Sequence, residues 1–191
     1  MSGSCGQRHR LTRARWRIRA IIRGSRVPED PRHAINTVTW LRRLEPCADD
    51  ALCLAAYAHD IDRADGRTKV RRADFADYDA FKAAHADHGA AIVAAILEDE
   101  GLPKAFIDEC CDLIRRHEVG GTPRADLLRD ADSISYFDVN LPLYFQREGW
   151  EETLRRCRWG WLRLSPRAQA QVLNIRHSDP GLNELIRLAS A

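Results

Sequence analysis

The sequence predicts an all-α helical bundle. Apolar residues recur at three- and four-residue steps along most of the chain, no segment alternates apolar and polar with β-branched enrichment, and Gly and Pro punctuate the periodic stretches. With 191 residues, 45% of them hydrophobic and 30% charged, the chain is large enough for one globular domain with a substantial core. No apolar run approaches the ~20 residues a membrane helix needs, and no signal-peptide pattern opens the chain. A net charge of +2 is too small to argue for a nucleic-acid partner.

Residues 1–10 read as frayed. Residues 11–23 read as a basic helix with one apolar side formed by Leu11, Trp16, Ile18, Ile21 and Ile22. Eight arginines fall between Arg8 and Arg26, and no acid precedes Glu29. They suit a solvated face, with a phosphate-attracting surface or an organellar transit peptide as alternatives. After a loop from Gly24, Asp30 as N-cap and Pro31 as first helical residue start a helix that Pro46 stops. Ala51–Arg63, with Asp49 or Asp50 near its start, reads as one buried helix delivering His59 and Asp60. Ala64–Asp74 is charged and reads as an exposed loop.

Tyr78–Glu100 predicts a long Ala-rich helix ended by Gly101 and Pro103. Lys104–Glu118 predicts the next, closed by Gly120-Gly121-Thr122-Pro123. Thr122 and Pro123 restart a helix expected to run through Asn140 and to break at Pro142. Two or three more helices fill 148–189, jointed at Ser165-Pro166 and Pro180-Gly181. The organisation expected is a basic extension or first helix over 1–26 and a single domain over 27–191. Within that domain a polar core spans about 31–140 and C-terminal helices follow over 141–191. The six cysteines form no Cys-x-x-Cys pattern. Cys47, Cys53, Cys110 and Cys157 fit helical stretches as small buried hydrophobes, which suits a reducing, cytoplasmic setting.

Several polar residues occupy positions where core residues belong. His33 heads the stripe Thr37, Trp40, Leu41 and Leu44, and His85 and His88 stand between Phe81 and Ile92. His117 follows Phe106, Cys110 and Leu113, while Asp132 sits between Leu128 and Ser135. Each alone has an ordinary structural account. Together, with His59 and Asp60, they would make a core of unpaired imidazoles and carboxylates, and that is costly unless a cation joins them. Imidazole with carboxylate suits Mn, Fe, Co, Ni or Zn, with Mg a further option, rather than Ca.

The order His33, His59-Asp60, Asp132 resembles the H…HD…D signature of the HD-domain superfamily of metal-dependent phosphohydrolases, over residues 31–140. The resemblance implies an HD-type helical bundle in which these four residues bind one divalent metal. His85-Ala-Asp-His88-Gly89-Ala90 is similar to the His-x-x-x-Gly-Ala step of two-metal members, which makes His85 the second-ion candidate and His88 its neighbour. His117-Glu118-Val-Gly-Gly-Thr-Pro is similar to the corresponding segment of the HD-GYP phosphodiesterases. The Gly-Tyr-Pro motif itself is absent, which speaks against cyclic-di-GMP as substrate. Arg63 stands where their His-Asp-Ile-Gly-Lys pattern has Lys.

By this resemblance His33, His59, Asp60 and Asp132 hold one ion, and His85 and His117 hold a second with Asp60 shared. A metal-activated water would then cleave a P–O bond. Arg63, and after it Lys69 and Lys82, would bind phosphate oxygens, while Glu118 and His88 are candidates for proton transfer or ligand orientation. The expected substrate is a small phosphorylated metabolite such as a nucleotide. No membrane partner is expected, and a homodimer is left open. The alternatives are a non-catalytic nucleotide-binding regulatory module, recognised by binding without turnover, and a di-iron oxygenase on the same scaffold, recognised by oxygen uptake. P-loop, Gly-x-Ser-x-Gly, HExxH and Rossmann fingerprints are absent.

Overall fold

The computed structural model describes residues 2–64, 66 and 69–191, with side chains from residue 6 onward. Among the described residues the chain is all helical. Its α-helices are α1 (Ser2–Arg23), α2 (Asp30–Leu44), α3 (Asp50–Ala58), α4 (Ile61–Ala64), α5 (Tyr78–Asp99), α6 (Lys104–Arg116), α7 (Pro123–Ser135), α8 (Leu141–Arg163), α9 (Pro166–Val172) and α10 (Pro180–Ala189). A 3₁₀ turn at Arg72–Asp74 precedes α5, and a π-helical turn at Tyr136–Asn140 joins α7 to α8. No helix among the described residues is long and apolar enough to cross a membrane.

Local chemistry explains most of these boundaries. Asp49, Asp77, Thr122, Ser165 and Asp179 each cap a helix by accepting from a backbone N–H in its first turn. Pro123, Pro166 and Pro180 follow three of those caps, where a missing N–H costs nothing. Gly101 (φ +69°) ends α5 in the left-handed region that other residues avoid.

Five expectations need correction. The first helix starts at Ser2, so residues 2–10 are helical rather than frayed. Its packed stripe is Leu11, Ala14, Ile18 and Ile22, while Trp16 is 72% exposed and lies off the apolar side. Four of its arginines are engaged: Arg10 donates to the Gly101 carbonyl, Arg13 and Arg17 pair with Glu100, and Arg15 pairs with Asp50. Glu29, not Asp30, occupies the N-cap of α2, and Asp30 is buried inside its first turn. The chain does not break at Pro142. Pro142 sits in the first turn of α8, so its missing N–H interrupts nothing, and the wider π turn before it carries the chain on. Cys47 lies exposed in the turn after Pro46 rather than in a helix.

The core is one continuous cluster. α2 packs chiefly on α7, α5 on α6, α3 on α2 and α6, and α10 on α8. α8 bends at Gly149, whose φ of +76° splits it into two arms. Leu128 is fully buried in α7, a helix that packs on α2 and α3. Leu128→Ala should cost about 2–5 kcal/mol through lost burial and a residual cavity. Urea denaturation would read this as a lower midpoint with an unchanged m-value.

Candidate metal centre

Helix ends place most of the centre. The helix expected over Ala51–Arg63 stops at Ala58, and His59 and Asp60 form the turn that separates α3 from α4. His59 is the C-cap of α3 and His117 the C-cap of α6, so both rings project where two helix dipoles present their negative ends. Gly89 brings α5 close to this turn: a Cβ there would stand 3.5 Å from the His59 carbonyl oxygen and 3.7 Å from Ile61. His33 comes from the first turns of α2, His85 from α5 and Asp132 from α7.

The structure brings all six sequence-predicted ligands together. His33 Nε2 lies 3.2 Å from His59 Nε2 and 3.9 Å from Asp60 Oδ2. Asp132 Oδ1 joins them at 3.1 Å from His33 Nε2 and 3.4 Å from His59 Nε2. On its other oxygen, Asp60 Oδ1 stands 3.0 Å from His85 Nε2. His33, His59 and Asp60 form one group with ligand atoms within 4.8 Å of one another, and Asp60, His85 and His117 form a second. Asp60 therefore belongs to both.

The outward nitrogens fix the inward ones. His59 Nδ1 donates to the Ala56 carbonyl at 2.9 Å, and His117 Nδ1 to the Ile114 carbonyl at 2.7 Å. His85 Nδ1 meets Asp62 Oδ2 at 2.8 Å. His33 Nδ1 meets Ser135 Oγ at 2.9 Å, and the Ser135 hydroxyl donates onward to the His33 carbonyl at 3.3 Å. With each Nδ1 proton so committed, four Nε2 lone pairs face two carboxylates. Lone pairs 3.2 Å apart repel unless a proton or a metal ion sits among them, and this donor set could hold a metal ion.

Titration behaviour agrees. Burial pulls His59 down, but Asp60 and Asp132 outweigh it and raise it to about 9. Burial likewise opposes His85, and hydrogen bonds to Asp60 and Asp62 raise it to about 9. His117, buried with weaker acid contacts, is lowered. Despite burial, Asp60 is held well below the usual carboxylate range by Arg63 and His59, and Asp132 by hydrogen bonds from His33 and His59.

The other predicted residues divide. Arg63 is engaged by Asp60 Oδ2 at 2.7 Å and Asp30 Oδ1 at 3.0 Å, so it steadies the carboxylate common to both groups. Glu118 lies 3.8 Å from His117 Nε2 and is held by Lys82 at 3.3 Å and Arg163 at 3.0 Å. Burial raises Glu118, but His117 and Arg163 lower it further, so it is ionised. His88 stays outside both ligand groups and bonds to Asp62 through Nδ1. Lys69 is exposed and is not among the cavity's lining residues.

Sequence reasoning missed Asp62 and the whole contribution of α8. Asp62, 1% exposed, accepts from His85, His88 and the Val70 amide. Its only signal was a second acid two residues after Asp60. The centre opens into a cavity of ≈ 740 Å³ roofed by Tyr144, Arg156, Trp159 and Arg163. Their signal was the spacing of Arg156, Trp159 and Arg163 on one helical face.

Fold and site together define an all-α protein with a buried His/Asp centre able to hold one or two cations. The chain belongs to the family described as Domain of unknown function (DUF4202), whose model matches residues 17–186. Neither the curated proteins nor the solved structures hold a match to it.

The raised pKa values carry a sign. The contribution of His59 and His85 to metal-free stability is complete below 6.5 and is lost as pH rises through about 9. A metal binds only their neutral forms, so its stabilisation grows over the same interval. Thermal melts in chelator should show the melting temperature falling between these pH values, with the increment from added Mn²⁺ rising. An increment that is flat or shrinks with pH would refute the ligand assignment.

Proposed function

We propose that this protein is a metal-dependent phosphohydrolase acting on a small phosphorylated metabolite such as a nucleotide, consistent with the HD-type order of its ligands. One observation carries the reading: four imidazoles lock Nδ1 outward and turn Nε2 toward Asp60 and Asp132, and Asp60 divides its two oxygens between the two groups. His33, His59, Asp60 and Asp132 would hold one ion, and Asp60, His85 and His117 another. When bound, such ions supply Lewis acidity, giving a hydroxide nucleophile near neutral pH and offsetting charge on a phosphoryl oxygen.

The chain's own residues do the rest. Arg63 keeps Asp60 ionised and oriented, and Ser135 and Asp62 hold the rings of His33 and His85. Glu118, ionised at the cavity wall beside His117, would take a proton from the attacking water. Lys82 and Arg163, shared with Glu118, present N–H donors on the same wall for non-bridging phosphate oxygens. The free buried thiols Cys53, Cys110, Cys111 and Cys157 support a reducing, cytoplasmic setting.

Asp60→Ala should abolish both bound metal and turnover across a panel of phosphate esters assayed with Mn, Co, Ni, Mg and Fe. A variant retaining full turnover would end the assignment. His85→Ala and His117→Ala should each lower metal content from about two ions per chain to about one by elemental analysis. Unchanged content would mean that the second group holds no ion.

A further inference from the structure

One wall of the cavity carries more positive charge than its neighbours balance. α8 presents Arg156, Trp159 and Arg163 on one face, and α5 sends Lys82 to meet them. The Trp159 ring lies 4.2 Å from the Arg156 guanidinium, 4.3 Å from that of Arg163 and 4.6 Å from Lys82 Nζ. Glu118 compensates two of these cations, pairing with Lys82 and Arg163. Among the described residues Arg156 makes neither a hydrogen bond nor an ion pair.

Arg156 is nevertheless held in place, because its guanidinium also stacks over Tyr136, 4.6 Å from that ring's centre. Stacking on two aromatic faces immobilises the group and leaves its in-plane N–H donors unused. Glu152 lines the same cavity and feels the Arg156 charge. Its carboxylate oxygens are taken up by Arg155 and Tyr144, so Arg156 has no directly paired acid and is arranged for an anion that arrives with the ligand. Asn140 lines the same cavity, and its Oδ1 atom is buried without a partner. It is a second polar atom left waiting for a ligand.

We propose that Arg156, clamped between Trp159 and Tyr136, recognises a second phosphoryl group of the substrate, beyond the one attacked at the His/Asp centre. The preferred substrate class is therefore a compound with at least two phosphates, such as a nucleoside di- or triphosphate, rather than a monophosphate. This rests on the phosphohydrolase reading for the placement of the first phosphoryl group. The guanidinium offers two parallel N–H donors to such a group, and Asn140 accepts from an O–H or N–H of the remaining ligand.

The test is titration calorimetry of the full chain and its R156Q variant with inorganic tripolyphosphate and with orthophosphate, metal content being measured after each titration. R156Q should bind tripolyphosphate roughly ten- to hundredfold more weakly, the worth of one or two charge-assisted hydrogen bonds, with orthophosphate affinity unchanged. Equal tripolyphosphate affinity in both proteins, a parallel loss for orthophosphate, or no binding to the wild type would overturn the proposal. Should R156Q lose its metal, R156K carries the test: a smaller loss confined to tripolyphosphate supports the site, and no loss refutes it. The two readings fail separately. A tripolyphosphate-specific loss in a protein that turns over no phosphate ester would sink the hydrolase and leave the anion site standing.

Discussion

Four imidazoles whose Nδ1 protons are committed outward and whose Nε2 atoms converge on Asp60 and Asp132 are the constraint around which this fold is arranged. His33 and His59 approach at 3.2 Å through Nε2, a distance that a lone pair tolerates only beside a positive charge. In the metal-free chain protons fill that role, which is why the acids raise His59 and His85 to about 9. The surrounding structure serves to keep the convergence in place. α3 stops one residue before His59, and α6 stops one residue before His117, so each ring turns back onto a carbonyl of its own last turn. A helix running on through either histidine would point the ring elsewhere and lose that carbonyl.

Ser135 shows how widely the support is spread. It lies on α7, next to the π turn, yet it fixes the ring of His33 on α2 and bonds the His33 carbonyl as well. Packing of α2 on α7 thus orients a ligand as well as burying apolar area. Asp62 does the same across α4 and α5. It stays ionised although burial opposes this, because His85 and His88 both bond to it.

The helices and the polar residues that gather at the centre were legible because both depend on local pattern. Caps and glycines set the boundaries within a residue or two, and a polar residue on an apolar stripe is visible at a period of 3.6. Trp16 misled because an aromatic residue among isoleucines reads as core, although the helical phase set by Leu11, Ala14, Ile18 and Ile22 turns it outward. The break at His59 was hidden by the high helix propensity of the alanines before it. The continuity through Pro142 was hidden because proline stops a helix in its interior but suits its first turn. Asp62 and α8 stayed out of view because their roles are tertiary: nothing local says that Trp159 lies over a site built a hundred residues earlier.

The cavity joins two electrostatic tasks of opposite sign. At the centre, Asp60 and Asp132 collect positive charge, whereas on the wall Lys82, Arg156 and Arg163 collect negative charge. Placed side by side without an intermediary, the wall would weaken the hold of the centre on any cation. Glu118 stands between them, 3.8 Å from His117 on one side and ion-paired with Lys82 and Arg163 on the other. It neutralises the part of the wall nearest the ligands. Arg156 lies beyond its reach, and there the positive charge is left for something that enters from solvent. On the proposed reading, the gradient from carboxylate to bare guanidinium would give an incoming polyanion one orientation, with one end at the histidines and the other against Trp159.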